Sequence, residues 1–396
     1  MDRNLEEYLE SEENKNNTAG NTPVILDFQN DEDARLAEKL FEDKKIQKVT
    51  DHYLSQEREY FSIQNPSTIF DPPLFEQKFK EYISTLESKN PLSRHGRWIY
   101  FPWLFALVHI LEEERFYVVR TARNKHLIGE AEQNKFYNSA IGIAGLSIGH
   151  SVALTLVLEG GAKKLKIADF DQLDLSNLNR IRTGINNLGD SKINITARSI
   201  YEINPYAVLE IYPKGLTEEN VDEFLQGLDL MIDEMDSFPV KILLRERAKN
   251  IGLPVLMALD NAEEGIVDIE RYDQDKNTEL FNGRIGELKY EDALKLTKLD
   301  VGKLLTKYVG FENVSNSMKK SLLEIGKTVV SWPQLGEAAT LNGAAVAHLA
   351  RKILSGKQVI TNRAIISLAD AISPADASSH KVQGEDLETL KKQFGI

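Results

Sequence analysis

Residues Ile141 to Arg180 (IGIAGLSIGHSVALTLVLEGGAKKLKIADFDQLDLSNLNR) constrain this chain more than any other stretch. An apolar run, a glycine-bearing turn, an apolar helical pattern and a second apolar run ending in acids follow one another without a break. A strand whose turn feeds a helix that returns to a parallel strand is the βαβ unit of nucleotide-binding sheets. Such strands are buried on both faces, so the rest of the chain must supply more strands and the helices that cover them. Strands are predicted at 140–144, 164–169, 207–212, 228–233 and 253–258, and helices at 148–160, 190–203, 217–226 and 239–250. The expected fold class is α/β, a Rossmann-like, doubly wound and mostly parallel sheet.

At 396 residues the chain has room for one large α/β domain and a smaller one. The main domain is expected at 139–370, after an N-terminal α/β accessory region at 22–138. That region reads as a strand at 22–28, a helix at 31–44 with Leu36, Leu40 and Phe41 on one face, and a second helix at 75–86. Arg97 to Trp103 (RWIYFPW) is an aromatic-dense packing segment. Residues 1–21 read as a disordered tail and 371–396 as a polar C-terminal tail. The rhythm of the main domain breaks at 265–330, where a strand-like VDIERY leads into helical pieces rich in Lys and Leu. An insertion of that length is usually a functional crossover or lid. A small-residue helix at 334–354 and a strand at 362–367 close the domain.

The chain has no cysteine, which removes disulfides, thiolate zinc sites and a cysteine nucleophile from consideration. Its net charge of −13 argues against general nucleic-acid binding or an anionic membrane partner. No apolar run approaches a membrane span, and the acidic N-terminus lacks a secretory pattern. A cytoplasmic location is expected.

Several polar residues gather around the βαβ unit. Gly145 matches the first glycine of a GxGxxG turn, while Gly149 falls one place early. The helix that follows offers backbone N–H groups to phosphate, and Ser147 either joins them or caps the helix. Asp169 and Asp171 (ADFD) end a strand at the edge where such sheets bind ligands; Asp169 is placed for ribose hydroxyls, or is a loop acid. Asn177, Arg180 and Arg182 follow in SNLNRIR, and a guanidinium can hold phosphate oxygens bidentately. Lys192 opens a helix, against the dipole, which an anion there would explain; a solvated surface lysine is the alternative. Asp233 and Asp236 end another strand, and Asp236 is placed to hold magnesium or its water, unless either acid caps the next helix. Two cations and a distant acid around a nucleotide site suggest chemistry on ATP phosphates rather than hydride transfer.

DFDxxxxSNLxR, then GxxK, then DxxD at a strand end, resembles the E1-like adenylyltransferases of the ThiF/MoeB/HesA superfamily, over roughly residues 117–355. The chain is also similar to the ThiF-type half of actinobacterial proteins in which this domain is fused to a nitroreductase-like one. The resemblance implies an E1-like fold, ATP and Mg2+, and attack of a substrate carboxylate on the α-phosphate to give an acyl-adenylate. By resemblance Asp169 would bind ribose, Asn177, Arg180 and Lys192 the phosphates, and Asp236 the metal. RTARNKHLIGEAEQNKF looks like the family's RxxRQ…GQ segment. Arg123, with Arg120 as the alternative, would then reach the triphosphate of the partner subunit, which implies a homodimer. The activated carboxylate would belong to a protein C-terminus, a peptide or a small molecule, with no thioester on this chain. Two other functions stay open: an NAD-dependent oxidoreductase, for which only His150 and His348 offer themselves, and a non-catalytic nucleotide-binding scaffold.

Overall fold

The computed structural model describes residues 20–310 and 313–372, the side chains at 298 and 299 excepted. The expected tails at 1–21 and 371–396 lie outside the described residues apart from their inner two positions. The chain forms two compact units: one runs to Glu130 and takes in Ala197–Ala207, and the other comprises Ala131–Thr196 and the chain from Val208.

The first unit holds strands β1 (Val24–Leu26), β2 (Lys48–Asp51), β3 (Arg97–Phe101) and β4 (Ala106–Ile110) in the order β1-β3-β4-β2. Only the β2–β4 pair is parallel. Helix Asp31–Glu42 starts where the Asn30 side chain accepts the Glu32 N–H at 2.9 Å, and three acids in its first turn suit the helix dipole. Its buried positions are Ala37 and Leu40. Leu36 and Phe41, predicted to share that face, are 40% and 46% exposed, because Ala37 rather than either of them meets the sheet. The aromatic segment fills this unit's own core: Trp98 and Tyr100 are buried, and Trp98 stacks on His109 at 4.3 Å.

The second unit is built on seven strands: β5 (Ala140–Ala144), β6 (Lys164–Ala168), β7 (Val208–Tyr212), β8 (Leu230–Asp233), β9 (Val255–Asn261), β10 (Glu264–Glu270) and β11 (Asn362–Ser367). Their order is β11-β10-β9-β8-β5-β6-β7. Strands β5 to β9 are parallel, as the alternation of buried strands and helices predicts, and β10 and β11 are antiparallel additions. The chain leaves β5 toward β6 on one side and returns to β8 on the other. That reversal opens a crevice at the carboxyl ends of the strands, the usual ligand edge.

The VDIERY segment is a central strand rather than the start of an insertion. Only Ala262 and Glu263 join β9 to β10, Ala262 with a φ of +59°, and so short a link can only make a hairpin. All seven positions of β10 are buried. Beyond it, helices Lys298–Val309 and Asn316–Leu323 bury Tyr308, Met318 and Leu322 with Phe238, Ile242 and Phe281.

A buried ion network ties this cluster to the ligand edge. Asp233, at the end of β8, accepts from Lys241 at 3.1 Å and from Arg245; Arg245 also donates to Glu270 at 2.7 Å and lies 3.9 Å from the Phe281 ring centroid. Removing one partner of such a group strands the others without water, at a cost of about 3–5 kcal/mol. Arg245→Met is therefore expected to lower the urea midpoint steeply, whereas Arg247→Met, whose arginine is 39% exposed, should move it little.

Candidate nucleotide-binding site

Gly145 follows β5 with a φ of +88°, and its N–H donates to the Ala168 carbonyl at 2.8 Å. A Cβ at this position would overlap the carbonyl of Glu234, so conformation and space both demand glycine. Gly149 lies one turn on, in helix Ile148–Leu158. A Cβ there would stand 3.0 Å from Ile143 Cγ2, so Gly149 lets helix and strand approach closely. The early second glycine thus does the packing work of the last glycine in the usual fingerprint.

Asp169 is buried just past β6 and joins two turns. Its Oδ2 accepts the Leu146 N–H at 2.6 Å and its Oδ1 accepts the Asp171 N–H at 2.8 Å. Burial raises its ionisation above the usual aspartate value, and those two bonds oppose the rise. Asp171 turns outward to Lys192: its carboxylate takes Nζ at 2.8 Å and its carbonyl takes the Lys192 N–H at 2.9 Å. Lys192 is 8% exposed, so the solvated-lysine alternative does not hold. Its position against the dipole is balanced by Asp171.

Residues Leu175–Asn179 form a 3-10 turn closed by a capping box between Asp174 and Asn177, with Asn177 Oδ1 accepting the Asp174 N–H at 3.1 Å. The turn delivers Arg180 to the glycine loop. Arg180 Nε donates to Ser147 Oγ at 2.8 Å, and Nη1 donates to Asn179 Oδ1 at 2.9 Å. Ser147 occupies the N-cap position but makes no side-chain cap bond; its hydroxyl serves the arginine instead.

A cavity of about 320 Å3 opens at this edge, lined by Gly145, Leu146, Ser147, Asp169, Asp171, Lys192 and Asp236 among the expected residues. Gly149, Asn177 and Arg180 lie behind or beside it, Arg180 through Ser147. Asp236 is exposed, whereas Asp233 is fully buried in its ion pairs and is no metal candidate. Among the described residues no group of three or more His, Asp or Glu could hold a metal ion. Arg123 is exposed on the 3-10 turn Ala122–Asn124 and Arg120 ends helix Glu113–Thr121, both in the first unit. Arg182 is exposed and donates to Thr340 Oγ1 at 3.1 Å.

Three residues that line or flank the site were not singled out from the sequence. Glu234 is buried on the cavity wall, where its carboxylate accepts the Ala258 N–H at 2.9 Å; burial drives its ionisation well above the usual value. Asp260, at the end of β9, is pushed up to about 6 by burial, against hydrogen bonds from Asn342 and Gln334. Lys214 joins the wall from the turn after β7. For Glu234 the signal was its place between the two acids of DEMD. Asp260 and Lys214 had no local motif to mark them. Neither His150 nor His348 lines the cavity.

Residues 120–277 match the ThiF family. This segment is a ThiF/MoeB E1-like superfamily domain. The chain is 36% identical over 313 residues to an uncharacterized protein of Mycobacterium tuberculosis, covering 77% of this chain and 44% of that one. It is 28% identical over 117 residues to the sulfur carrier protein adenylyltransferase of Thermus thermophilus, covering 29% of this chain and 42% of the relative. The matches thus span less than half the length of both relatives. A solved structure of the E. coli tRNA N6-threonylcarbamoyladenosine dehydratase is 19% identical with a TM-score of 0.42, over 60% of this chain and 95% of the other. All the site residues described from Gly145 to Asp260 fall inside the ThiF-matched segment.

His150 tests the electrostatics behind the glycine loop of this ThiF-matched segment. Its Nδ1 meets Thr196 Oγ1 at 3.0 Å, and burial holds the ring neutral, its ionisation pushed down to about 4. An unfolded histidine titrates near ~6.5, so on acidification the unfolded chain takes up the proton first. The stability from His150 is complete above that pH and is lost as pH falls toward 4. Urea midpoints measured across this window should fall less steeply for His150→Gln than for the wild type.

Proposed function

We propose that the chain is an ATP-dependent adenylyltransferase that activates a substrate carboxylate, belonging to a protein C-terminus, a peptide or a small molecule. The observation that carries the reading is the way Arg180 is held. The structural arginines Arg245 and Arg363 are matched by carboxylates. Arg180 is half-buried with a hydroxyl, a carboxamide and the Ser176 carbonyl as its hydrogen-bond partners, and burial pulls its ionisation below the usual arginine value. Asp260 and Asp236 only oppose that pull from a distance. A guanidinium kept partly dry beside a helix N-terminus is suited to an incoming anion.

Phosphates would lie on the Gly145–Ser147 turn, with Arg180 and Lys192 beside them and the Asn177 amide as a further donor. Asp169 has lone pairs left for ribose hydroxyls. An Mg2+ ion would supply charge neutralisation on phosphate oxygens, and a lone carboxylate such as Asp236 is enough to hold it when phosphates complete the ligand set. The substrate carboxylate oxygen forms a bond to the α-phosphorus as the bond to the bridging oxygen breaks and pyrophosphate leaves. No proton has to move in that step, so positioning and charge suffice. These residues hold no cysteine, and on this reading the acyl group passes directly from the adenylate to an acceptor.

Arg123 is proposed to act across a homodimer. The nicotinamide alternative gains nothing from the two histidines, which stand away from the cavity.

The reading is tested by ATP–pyrophosphate exchange across a panel of carboxylates. Asp236→Ala and Lys192→Ala are each expected to lower the rate roughly 10²–10³-fold. No exchange with any carboxylate, together with a thermal shift given by NADH and not by Mg·ATP, would overturn it. For the composite site, mixing Arg123→Ala with Lys192→Ala protein should restore part of the activity that each lacks alone. A mixture as inactive as its components, under conditions where subunits exchange, would remove Arg123 from the mechanism.

A further inference from the structure

The end of the crossover segment is bonded to the phosphate-site arginine through a continuous chain of groups. Asp260, the last but one residue of β9, lies at the ligand edge and is 4% exposed. Its Oδ1 accepts Asn342 Nδ2 at 2.7 Å and its Oδ2 accepts Gln334 Nε2 at 3.2 Å. The Gln334 carbonyl in turn accepts Asn179 Nδ2 at 2.8 Å, and Asn179 Oδ1 accepts Arg180 Nη1 at 2.9 Å. Two residues on, Gly336 sits so close to the Asn179 carbonyl that a Cβ there would overlap it. One buried carboxylate therefore fixes Gln334, Gln334 and Gly336 fix the SNLNR turn, and the turn aims the guanidinium at Ser147.

Building on the adenylation reading, we propose that Asp260 and Gln334 are positioning residues for Arg180, holding it on the phosphate side of the site from the end of the crossover. Neither residue lines the cavity, so neither is expected to touch the nucleotide. Their effect should reach only ligands that Arg180 itself contacts. A helix, Gly336–Leu354, begins two residues after Gln334, so a displacement of the crossover's end would be felt first at this latch. Asn342, on that helix, points its amide nitrogen at Asp260 while its Oδ1 is buried with no partner among the described residues, facing Gly265, whose missing side chain leaves room for it. The hydrogen bond to Asp260 is thus kept although the same buried amide leaves its oxygen without a partner among the described residues, a costly arrangement.

The test compares Mg·ATP with adenosine as calorimetric probes of the whole chain, in Asp260→Asn and Gln334→Ala. Losing the hold on a charged donor should raise the Kd for Mg·ATP roughly tenfold, while the Kd for adenosine stays within about twofold. Gln334 is only half-buried, so its variant should fold even if Asp260→Asn does not, and Gln334→Glu, which places a charge beside Asp260, should be worse than Gln334→Ala. Equal losses for both probes would mean a merely structural role, and unchanged Mg·ATP affinity in the folded variants would remove the latch; either result overturns the proposal. Wild-type protein that binds adenosine and Mg·ATP equally well, with no gain from the phosphates, would overturn the adenylation reading and the latch together.

Discussion

One carboxylate organises the site. Asp169 takes the N–H of Leu146 with one oxygen and the N–H of Asp171 with the other, so it fastens the turn after β5 to the turn after β6. Both turns sit at the ends of parallel strands, where backbone donors have no ladder partner and would otherwise be buried unpaired. The fastening decides the rest. Held this way, the first turn presents Ser147 to Arg180, and the second presents Asp171 to Lys192. Burying Asp169 disfavours its charge, but the two N–H groups return part of that loss, which is why the carboxylate can be both a strut and a ligand for hydroxyls.

Two groups of cations in the second unit differ in their energetics. Lys241, Arg245 and Arg363 lie against Asp233, Glu270 and Asp268 in a dry interior, where a lone charge of either sign would be intolerable. Arg180 is held by neutral groups, and Lys192 by a carboxylate that is 43% exposed and so can share it. Attraction to a polyphosphate is then not cancelled in advance by a buried carboxylate in direct contact with either cation. The internal pairs keep the scaffold rigid, and the looser pairs leave the site able to respond.

Sequence reasoning recovered the five parallel strands because each is a short apolar run punctuated by a turn, and the parallel fold needs little more. It gathered its candidate residues around the βαβ unit because they are close in sequence and carry recognisable spacing, and Gly145, Ser147, Asp169, Asp171, Lys192 and Asp236 line one cavity. It read VDIERY as strand-like but set it at the start of an insertion, since three acids and a glycine among the seven positions of β10 hide how deeply that strand is buried in the sheet. It missed Asp260 for a related reason: its partners Gln334 and Asn342 lie far along the chain, so no local spacing announces them. Leu36 and Phe41 show the opposite failure, where periodicity pointed inward and the contact was made by the smaller Ala37.

The acids of β10 explain why a polar strand can be central. Alternation along the strand puts Glu264, Ile266, Asp268 and Glu270 on one face and Gly265, Val267 and Ile269 on the other. Each acid of the first face finds a partner. Glu264 accepts from Asn261 at 2.7 Å, Asp268 takes Arg363 bidentately at 2.8 and 2.6 Å and also the Tyr308 hydroxyl, and Glu270 takes Arg245. Tyr308 belongs to the helices beyond β10, so one apolar residue and three satisfied acids form the floor on which the crossover folds. The other face offers Gly265, a gap that the Asn342 side chain occupies. A one-residue slip of β10 would bring the acids against helix Gly336–Leu354 and the glycine against the crossover, losing both sets of partners at once. The two-residue link to β9 prevents that slip, and in fixing the register it also fixes Asp260, the last acid before the turn, at the edge where the nucleotide site lies.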